Sequence, residues 1–333
     1  MGELRWGVLS TAKIGLEKVI PGIQRSKRGR VTAIASRDLD RARAAADELG
    51  IEKAYGSYAD LLADPDIDAI YNPLPNNLHV PLTLQAVAAG KPVLCEKPIG
   101  MDRADAERLL SVEGEVPVME AFMVRFHPQW LWARAQIREG RLGELRAIQS
   151  FFSYFNRDPT NIRNAPETGG GALLDIGCYP IVAGRFLLEA EPQRVFALIE
   201  RDPDFGVDSL TTGILDFGGK GRVDFTVSTQ VIPYQRVQVI GTEGRLEIEI
   251  PFNAPQGEAT RVFRDNGGNL RGESVQIQEI SAADQYAEQA DAFAAVVLDQ
   301  APLPYGIADA VQNMRIIDAL FRSEKSGAWE SLS

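Results

Sequence analysis

A chain of 333 residues is longer than a single hydrophobic core usually organises, and its 45% hydrophobic and 24% charged residues are the balance of a soluble globular protein, so two domains are expected. A formal net charge of −11 without a basic stripe argues against nucleic acid or an anionic membrane surface as a partner. No stretch reads as a transmembrane span, no signal peptide precedes the first strand, and a cytoplasmic location is expected.

In chain order, residues 1–124 alternate strand and helix. Leu4 to Leu9 reads as an apolar strand, and Ser10-Thr11-Ala12-Lys13-Ile14-Gly15 turns it into a helix running toward Pro21. Strand Val31 to Ala35 precedes an Ala- and Arg-rich helix from Leu39 to Leu49. A short strand at Tyr55 to Ser57, a helix Tyr58 to Leu62 with Ser57 as N-cap, and a strand Ala69 to Asn72 follow. A helix from Leu78 to Ala89 is closed by Gly90, a helix spans Asp102 to Val112, and Val116 to Ala121 is the last strand. This alternation implies a doubly wound parallel sheet.

Between those last two helices lies Pro92-Val93-Leu94-Cys95, a short apolar run that reads as a central strand. It delivers Glu96 and Lys97 to its carboxyl edge and is stopped by Pro98, and that edge is where such sheets place ligands. A lysine there is poorly explained as solvated surface.

The turn at Ser10–Gly15 has the logic of a dinucleotide cradle. Small residues let backbone reach a pyrophosphate while a helix N-terminus offers N–H groups; Ser10 and Ala12 stand where the first two glycines would be, and Gly15 stands at the third. The end of the second strand bears on the cofactor type. A carboxylate there would bind ribose hydroxyls, whereas this chain has Ser36-Arg37 and then Arg41, suited to a 2′-phosphate, so NADP is expected over NAD.

Cys95 and Cys178 are far apart and form no CxxC pair, which argues against a disulfide framework or a zinc site, and His79 and His127 are too few and too isolated for a His-based metal centre.

Four stretches carry a family resemblance: Trp6-Gly7-Val8-Leu9-Ser10-Thr11-Ala12-Lys13-Ile14, Pro75-Asn76-Asn77-Leu78-His79, Glu96-Lys97-Pro98, and Gly169-Gly170-Gly171-Ala172-Leu173-Leu174-Asp175-Ile176-Gly177-Cys178-Tyr179. Together, and in this order, they resemble the glucose-fructose oxidoreductase/inositol dehydrogenase (Gfo/Idh/MocA) family, in particular its sugar-oxidising branch. The resemblance implies an α/β Rossmann domain over 1–124 and an α+β domain over 125–333 with a large open, mainly antiparallel sheet. Strands are expected at Ala147 to Phe155, Val195 to Glu200, Leu210 to Phe217, Arg222 to Gln230, Gln235 to Ile240 and Arg245 to Ile250. Asn253 to Glu273 reads as long loops, and Tyr286 to Leu298 and Ile307 to Arg322 read as helices covering the sheet. The family uses the sheet's exposed face for dimer contacts, which implies a homodimer.

The chemistry follows from residue types. After Gly169-Gly170-Gly171, Asp175 and Tyr179 are four apart on one helix and share a face. Oxidising an alcohol needs a base for the hydroxyl proton, and an unperturbed tyrosine titrates near pH 10, so a neighbouring cation is required. Lys97 can provide it. The family's pattern matches Lys97, Asp175 and Tyr179, although many members carry His at the last position. Tyr179 is therefore expected to transfer the proton, Lys97 to support it and anchor substrate, and Asp175 to bind a second substrate hydroxyl. The resemblance further implies cofactor contacts from Ser10, Thr11, Ala12, Lys13, Ile14, Ser36, Arg37, Arg41, Pro73, Leu74, Pro75, Asn76, Asn77, His79, Glu96, Lys97 and Arg163. Arg125 and His127 are expected to meet substrate, and Pro180 to kink the helix or force a local rearrangement. The activity implied is NADP-dependent oxidation of an aldose C1 hydroxyl to a lactone, acting on a monosaccharide or small oligosaccharide, with cofactor retained and recycled by a second sugar in part of the branch. Alternatives are a trans-dihydrodiol dehydrogenase, a 1,5-anhydrofructose reductase, or a dinucleotide-binding regulator without turnover.

Overall fold

The computed structural model describes residues 2–332, which form two compact units: one comprising the chain to Met123 together with Asp284–Met314, the other Val124–Ala283 with Arg315 onward. The first unit is built on a parallel sheet of β1 (Leu4–Leu9), β2 (Gly29–Ala35), β3 (Lys53–Tyr55), β4 (Ala69–Asn72), β5 (Val93–Cys95) and β6 (Val118–Glu120), in the order β3-β2-β1-β4-β5-β6. Its strands are continuous apolar runs because both faces are covered, and Val93, Leu94 and Cys95 are essentially inaccessible. Order reverses between β1 and β4, so the turns that follow these strands flank a topological switch point.

Local signals set the helices. Asp38 caps α2 (Leu39–Leu49) by accepting from Asp40 N–H and Arg41 N–H, and Gly50 ends it in the left-handed region at φ 66°. Ser57 caps α3 (Tyr58–Ala63) through the Asp60 N–H. Two expectations need adjustment. The 78–89 helix, α4, begins earlier at Asn76 (Asn76–Ala88), and the 102–112 helix is an α-turn Arg103–Glu107 continued by a 3₁₀ turn Arg108–Val112.

The first unit's leading segment ends at Met123, and Asp284–Met314, from the stretch expected in the second domain, packs with it. The helix Gln285–Asp299 lays Phe293 against Trp6, ring centroids 5.4 Å apart, and both side chains are fully buried. Its apolar stripe thus covers the parallel sheet.

The second unit is a nine-stranded sheet. Its strands are β7 (Leu145–Phe155), β8 (Arg194–Arg201), β9 (Asp208–Asp216), β10 (Arg222–Ser228), β11 (Gln230–Gly241), β12 (Arg245–Ile248), β13 (Thr260–Asp265), β14 (Gln276–Ile280) and β15 (Glu330–Ser331), ordered β14-β13-β12-β11-β7-β10-β9-β8-β15. Only β7 and β10 pair in parallel. The stretch expected to be loops from Asn253 to Glu273 therefore contains a strand, β13, whose Thr260 and Val262 are buried. Alternation sorts the two faces. Val223, Phe225 and Val227 turn inward with Ile148 and Phe152, while register places Leu198, Thr212, Phe151, Tyr234 and Ile277 on the open face.

Pro166–Leu188 is long and apolar enough by length and composition alone to cross a bilayer, and it is almost wholly buried in this unit.

Candidate active site

Within the first unit, the predicted cradle is formed by the turns after β1, β2, β4 and β5. Ser10 has φ 113°, a backbone state that side-chain-bearing residues rarely adopt, and its N–H donates to Ala35 C=O at 2.9 Å. The turn needs a glycine-like residue there, and the chain supplies serine. Thr11, Ala12 and Ile14 are partly exposed along it; Lys13 points into solvent with Glu17 3.8 Å away, and the helix opens with a π-turn at Gly15–Val19. Ser36 is buried and its hydroxyl accepts the Asp38 N–H at 3.2 Å, while Arg37 and Arg41 are exposed beside it.

The β4–α4 loop, Pro73-Leu74-Pro75-Asn76-Asn77, is pinned from beneath. Asn72 Oδ1 accepts the Leu74 N–H, and His79 stands with Nε2 2.6 Å from Leu74 C=O and Nδ1 2.7 Å from Pro98 C=O. His79 is 1% exposed, and burial, opposed by those two carbonyls, draws its pKa down to about 4. A neutral ring carries one N–H, so it donates to one of these carbonyls and packs its other nitrogen against the second. His79, expected at the cofactor, stands between the loops of Leu74 and Pro98 and braces them. Asn77 behaves differently: its side-chain oxygen is buried with no hydrogen-bond partner among the described residues, which fits a group waiting for a donor from a bound dinucleotide.

At the end of β5, Glu96 accepts the Tyr71 hydroxyl at 2.9 Å and the Lys97 N–H at 3.3 Å. Tyr71 is fully buried, and burial first, then the Glu96 charge, pushes its hydroxyl far above the ordinary range; Tyr286 faces the same carboxylate and is pushed up likewise. Glu96 is thus tied to the buried Tyr71 beneath its loop. The Ile99 N–H donates to Glu120 at 2.8 Å, so the peptide Lys97-Pro98, which is cis, is held on both sides.

Within the second unit the catalytic candidates lie on one buried helix. A π-turn at Leu173–Gly177 leads into α7, which runs Cys178–Leu188. Pro180, which has no N–H to give to a helix, lies three residues past the π-turn that runs unbroken into α7, and that π-turn is a local rearrangement of the kind expected. The helix start is fixed by Asp208, 1% exposed, which accepts the Leu173 N–H at 2.6 Å and the Thr211 hydroxyl at 3.0 Å. Gly171, at φ 114°, lies so close to the Asp208 carboxylate that a Cβ would collide with it.

Asp175 Oδ2 accepts the Tyr154 hydroxyl at 2.5 Å and Arg163 Nε at 2.9 Å. Arg163, expected at the cofactor, is thus placed on Asp175. Tyr179 is 6% exposed and sits in an aromatic nest, 5.7 Å from the Phe152 ring and 5.3 Å from that of Phe252. The Phe252 loop is tied down by Trp130, whose indole N–H donates to Pro251 C=O at 2.7 Å, and by Gln129, which donates to Ile250 C=O at 2.9 Å. Those two residues belong to the helix Pro128–Arg138, which the sequence reading omits; its N-cap is His127, whose Nδ1 accepts the Gln129 N–H at 3.1 Å. His127 is fully buried and Arg125 is 3% exposed, so both of these expected substrate contacts are packed into the unit, with His127 serving as a cap.

Sequence reasoning missed Tyr71, Tyr154, Asp208, Phe252 and Tyr286. Only Tyr154 carried a local signal, since it alternates in phase with Ile148 and Phe152 on the covered face of β7. Among the described residues, no group of three His, Cys, Asp or Glu is placed to hold a metal, and Cys95 and Cys178 are buried and form no disulfide.

A switch-point cradle on a parallel sheet, joined in sequence to an open sheet with a helix bearing Asp175 and Tyr179, defines a two-unit dinucleotide oxidoreductase. Family models agree: residues 4–124 match the oxidoreductase family NAD-binding Rossmann fold, and residues 130–247 match the GFO/IDH/MocA C-terminal domain. The chain belongs to the GFO/IDH/MocA oxidoreductase family. It is 39% identical to a D-xylose 1-dehydrogenase (NADP(+)) of Haloferax volcanii, with 98% of each chain covered. Among solved structures it is similar to KijD10, a 3-ketoreductase of Actinomadura kijaniata in complex with NADP and TDP-benzene, with TM-score 0.89, 32% identity, and 96% of this chain and 98% of that one covered. It also resembles an aldose-aldose oxidoreductase of Caulobacter crescentus, with TM-score 0.91, 25% identity, and 99% and 100% of the two chains covered.

Proposed function

We propose that the chain is an NADP-dependent sugar oxidoreductase that oxidises the C1 hydroxyl of an aldose to the aldonolactone. The observation that carries this reading is the pairing, on one buried helix, of a carboxylate held by an arginine with a tyrosine in an apolar nest, in a chain 39% identical to an NADP-dependent xylose dehydrogenase. Ser10 to Ile14, Asn77 and the Pro73–Asn76 loop would hold the dinucleotide, and Ser36, Arg37 and Arg41 its 2′-phosphate. Bound there, the oxidised nicotinamide supplies a hydride acceptor. Tyr179 takes the C1 hydroxyl proton as the C–O bond becomes a carbonyl, and Lys97 anchors the sugar and favours the tyrosinate. Asp175 orients a second sugar hydroxyl. The sheet's open face, with Leu198, Tyr234 and Ile277 exposed, would pair two copies in a homodimer, and the location proposed is the cytoplasm.

Purified protein mixed with NADP and a panel of aldoses should produce NADPH absorbance and lactone in equal amounts. Tyr179→Phe and Lys97→Met should each lower kcat by roughly two to four orders of magnitude, and the double variant should lose much less than their product. Absence of turnover with every aldose, but reduction of a keto sugar, would favour the ketoreductase direction. Likeness to the aldose-aldose oxidoreductase supports a second mode, in which NADP(H) stays bound and a second sugar reoxidises it. In that mode desalted protein still carries nucleotide, and lactone accumulates with alditol while no NADPH appears in bulk solution.

A further inference from the structure

Three elements of the second unit meet at Asp175. From the covered face of β7, Tyr154 donates its hydroxyl to Oδ2 at 2.5 Å, and from the 3₁₀ turn Ile162–Asn164, Arg163 donates Nε to the same oxygen at 2.9 Å. The Asp175 side chain is only 14% exposed, and Tyr179 follows one turn along the helix. A lone carboxylate in such surroundings would oppose ionisation of a neighbouring tyrosine, because like charges in a poorly solvated space repel strongly. An arginine on that carboxylate removes the opposition and holds the oxygen in a fixed direction.

We propose that Tyr154 and Arg163 are positioning residues that hold Asp175 from two sides and cancel its charge beside Tyr179, so that a carboxylate placed to bind a sugar hydroxyl does not hinder proton transfer. This rests on Tyr179 being the proton-transfer group. Burial first, then the Asp175 charge, pushes the Tyr154 hydroxyl far above the ordinary range, so it remains a donor at every working pH. The Arg163 guanidinium is held well above its usual value, first by Asp175 and against burial, with Tyr154 and Tyr179 adding to the effect; both Asp175 and Tyr179 therefore face this cation. Further titratable groups near the cluster include Cys178 on the same helix, whose thiol lies 3.6 Å from Asp175 C=O, and Asp208 from β9, which is turned to Leu173 and Thr211 and partly balanced by Arg201.

The two positioning residues should separate charge from orientation. Arg163→Gln strips the cation and should move the acid limb of kcat/KM for sugar oxidation up by about one pH unit. Arg163→Lys restores the charge but not the planar fork, so the limb should return while the sugar KM stays raised. Adding Asp175→Asn to Arg163→Gln removes both charges and should also return the limb. Tyr154→Phe, which changes no charge, should leave the limb in place and raise the sugar KM by about tenfold. A readout independent of turnover is the ultraviolet titration of the tyrosinate band, taken as wild type minus Tyr179→Phe and repeated in the Arg163→Gln background, with each variant's melting temperature recorded alongside. The Tyr179 component should titrate higher when Arg163 is gone. An unmoved component and limb in a folded Arg163→Gln protein overturns the proposal while leaving Tyr179 as the proton-transfer group; full activity of Tyr179→Phe instead overturns that assignment itself.

Discussion

Ser10 is a residue whose type and conformation disagree. At φ 113° its backbone is in territory natural to glycine, and such strain costs roughly 1 to 3 kcal/mol. Ser10→Gly should therefore stabilise the protein by about 1 kcal/mol, the strain being partly offset by the greater freedom glycine gives the unfolded chain. Denaturant unfolding of the two proteins checks this, and equal midpoints would show that the serine is accommodated without strain. Two positions on from the next strand, Arg37 is exposed beside the buried Ser36, where a 2′-phosphate can gain a charge-assisted contact. Arg37→Ala should weaken NADP roughly tenfold to a hundredfold and leave NAD nearly unchanged. Calorimetric titration of both cofactors into both proteins decides it; equal losses for NAD and NADP would remove the phosphate from this place.

Among the elements, the two loops braced by His79 make a statement about acid. The folded-state pKa is about 4, below the ordinary 6.5, so the unfolded chain takes up a proton that the native chain refuses as the pH falls from about 6.5 toward 4. The stability contributed by the neutral ring is complete above that window and is lost on descending through it. His79→Gln should be less stable at neutral pH, and its stability should fall less steeply between pH 6.5 and 4, which unfolding curves at several pH values would reveal; parallel slopes would mean the ring is protonated in the native state. Elements such as α2 were legible because each end carries a local mark, Asp38 before it and Gly50 after it. The helix Pro128–Arg138 was passed over although Pro128 opens it and Gly140 follows it, because its N-cap is a histidine, outside the usual Ser, Thr, Asp and Asn. β13 was hidden by the Gly, Asn and Pro around it. In the candidate site, the spacing of four between Asp175 and Tyr179 marked them as neighbours on one helix, and the apolar run before Lys97 marked that residue as standing at the end of a strand. Arg163 on Asp175 and Phe252 on Tyr179 were not legible, because what decides them is the packing of chain segments distant in sequence.

On the scale of the whole molecule, the open sheet face bears on assembly. Leu198 is 66% exposed and Tyr234 49% exposed, and they share that face with the ion pairs Arg236–Glu247 and Arg261–Glu249. A face that is partly apolar and partly zwitterionic suits a self-complementary two-fold contact. Native mass spectrometry should find two chains of 36.5 kDa together, and Leu198→Asp should shift the population to single chains. A wild-type monomer at micromolar concentration would exclude the dimer. The division of the chain has a further bearing, on the order of events during synthesis. Phe293 stacks on Trp6, and Tyr286 faces the carboxylate at the end of β5, yet the ribosome makes these partners more than 160 residues after the last parallel strand, β6. A nascent chain that has just completed β6 therefore has a sheet with an uncovered apolar flank around Trp6. It must wait for the entire second unit to emerge before the Gln285–Asp299 helix can close that flank. Translation pauses, or truncations, anywhere between residues 124 and 284 should consequently leave a sticky intermediate, and holdase chaperones would be expected to dwell on this chain over that interval.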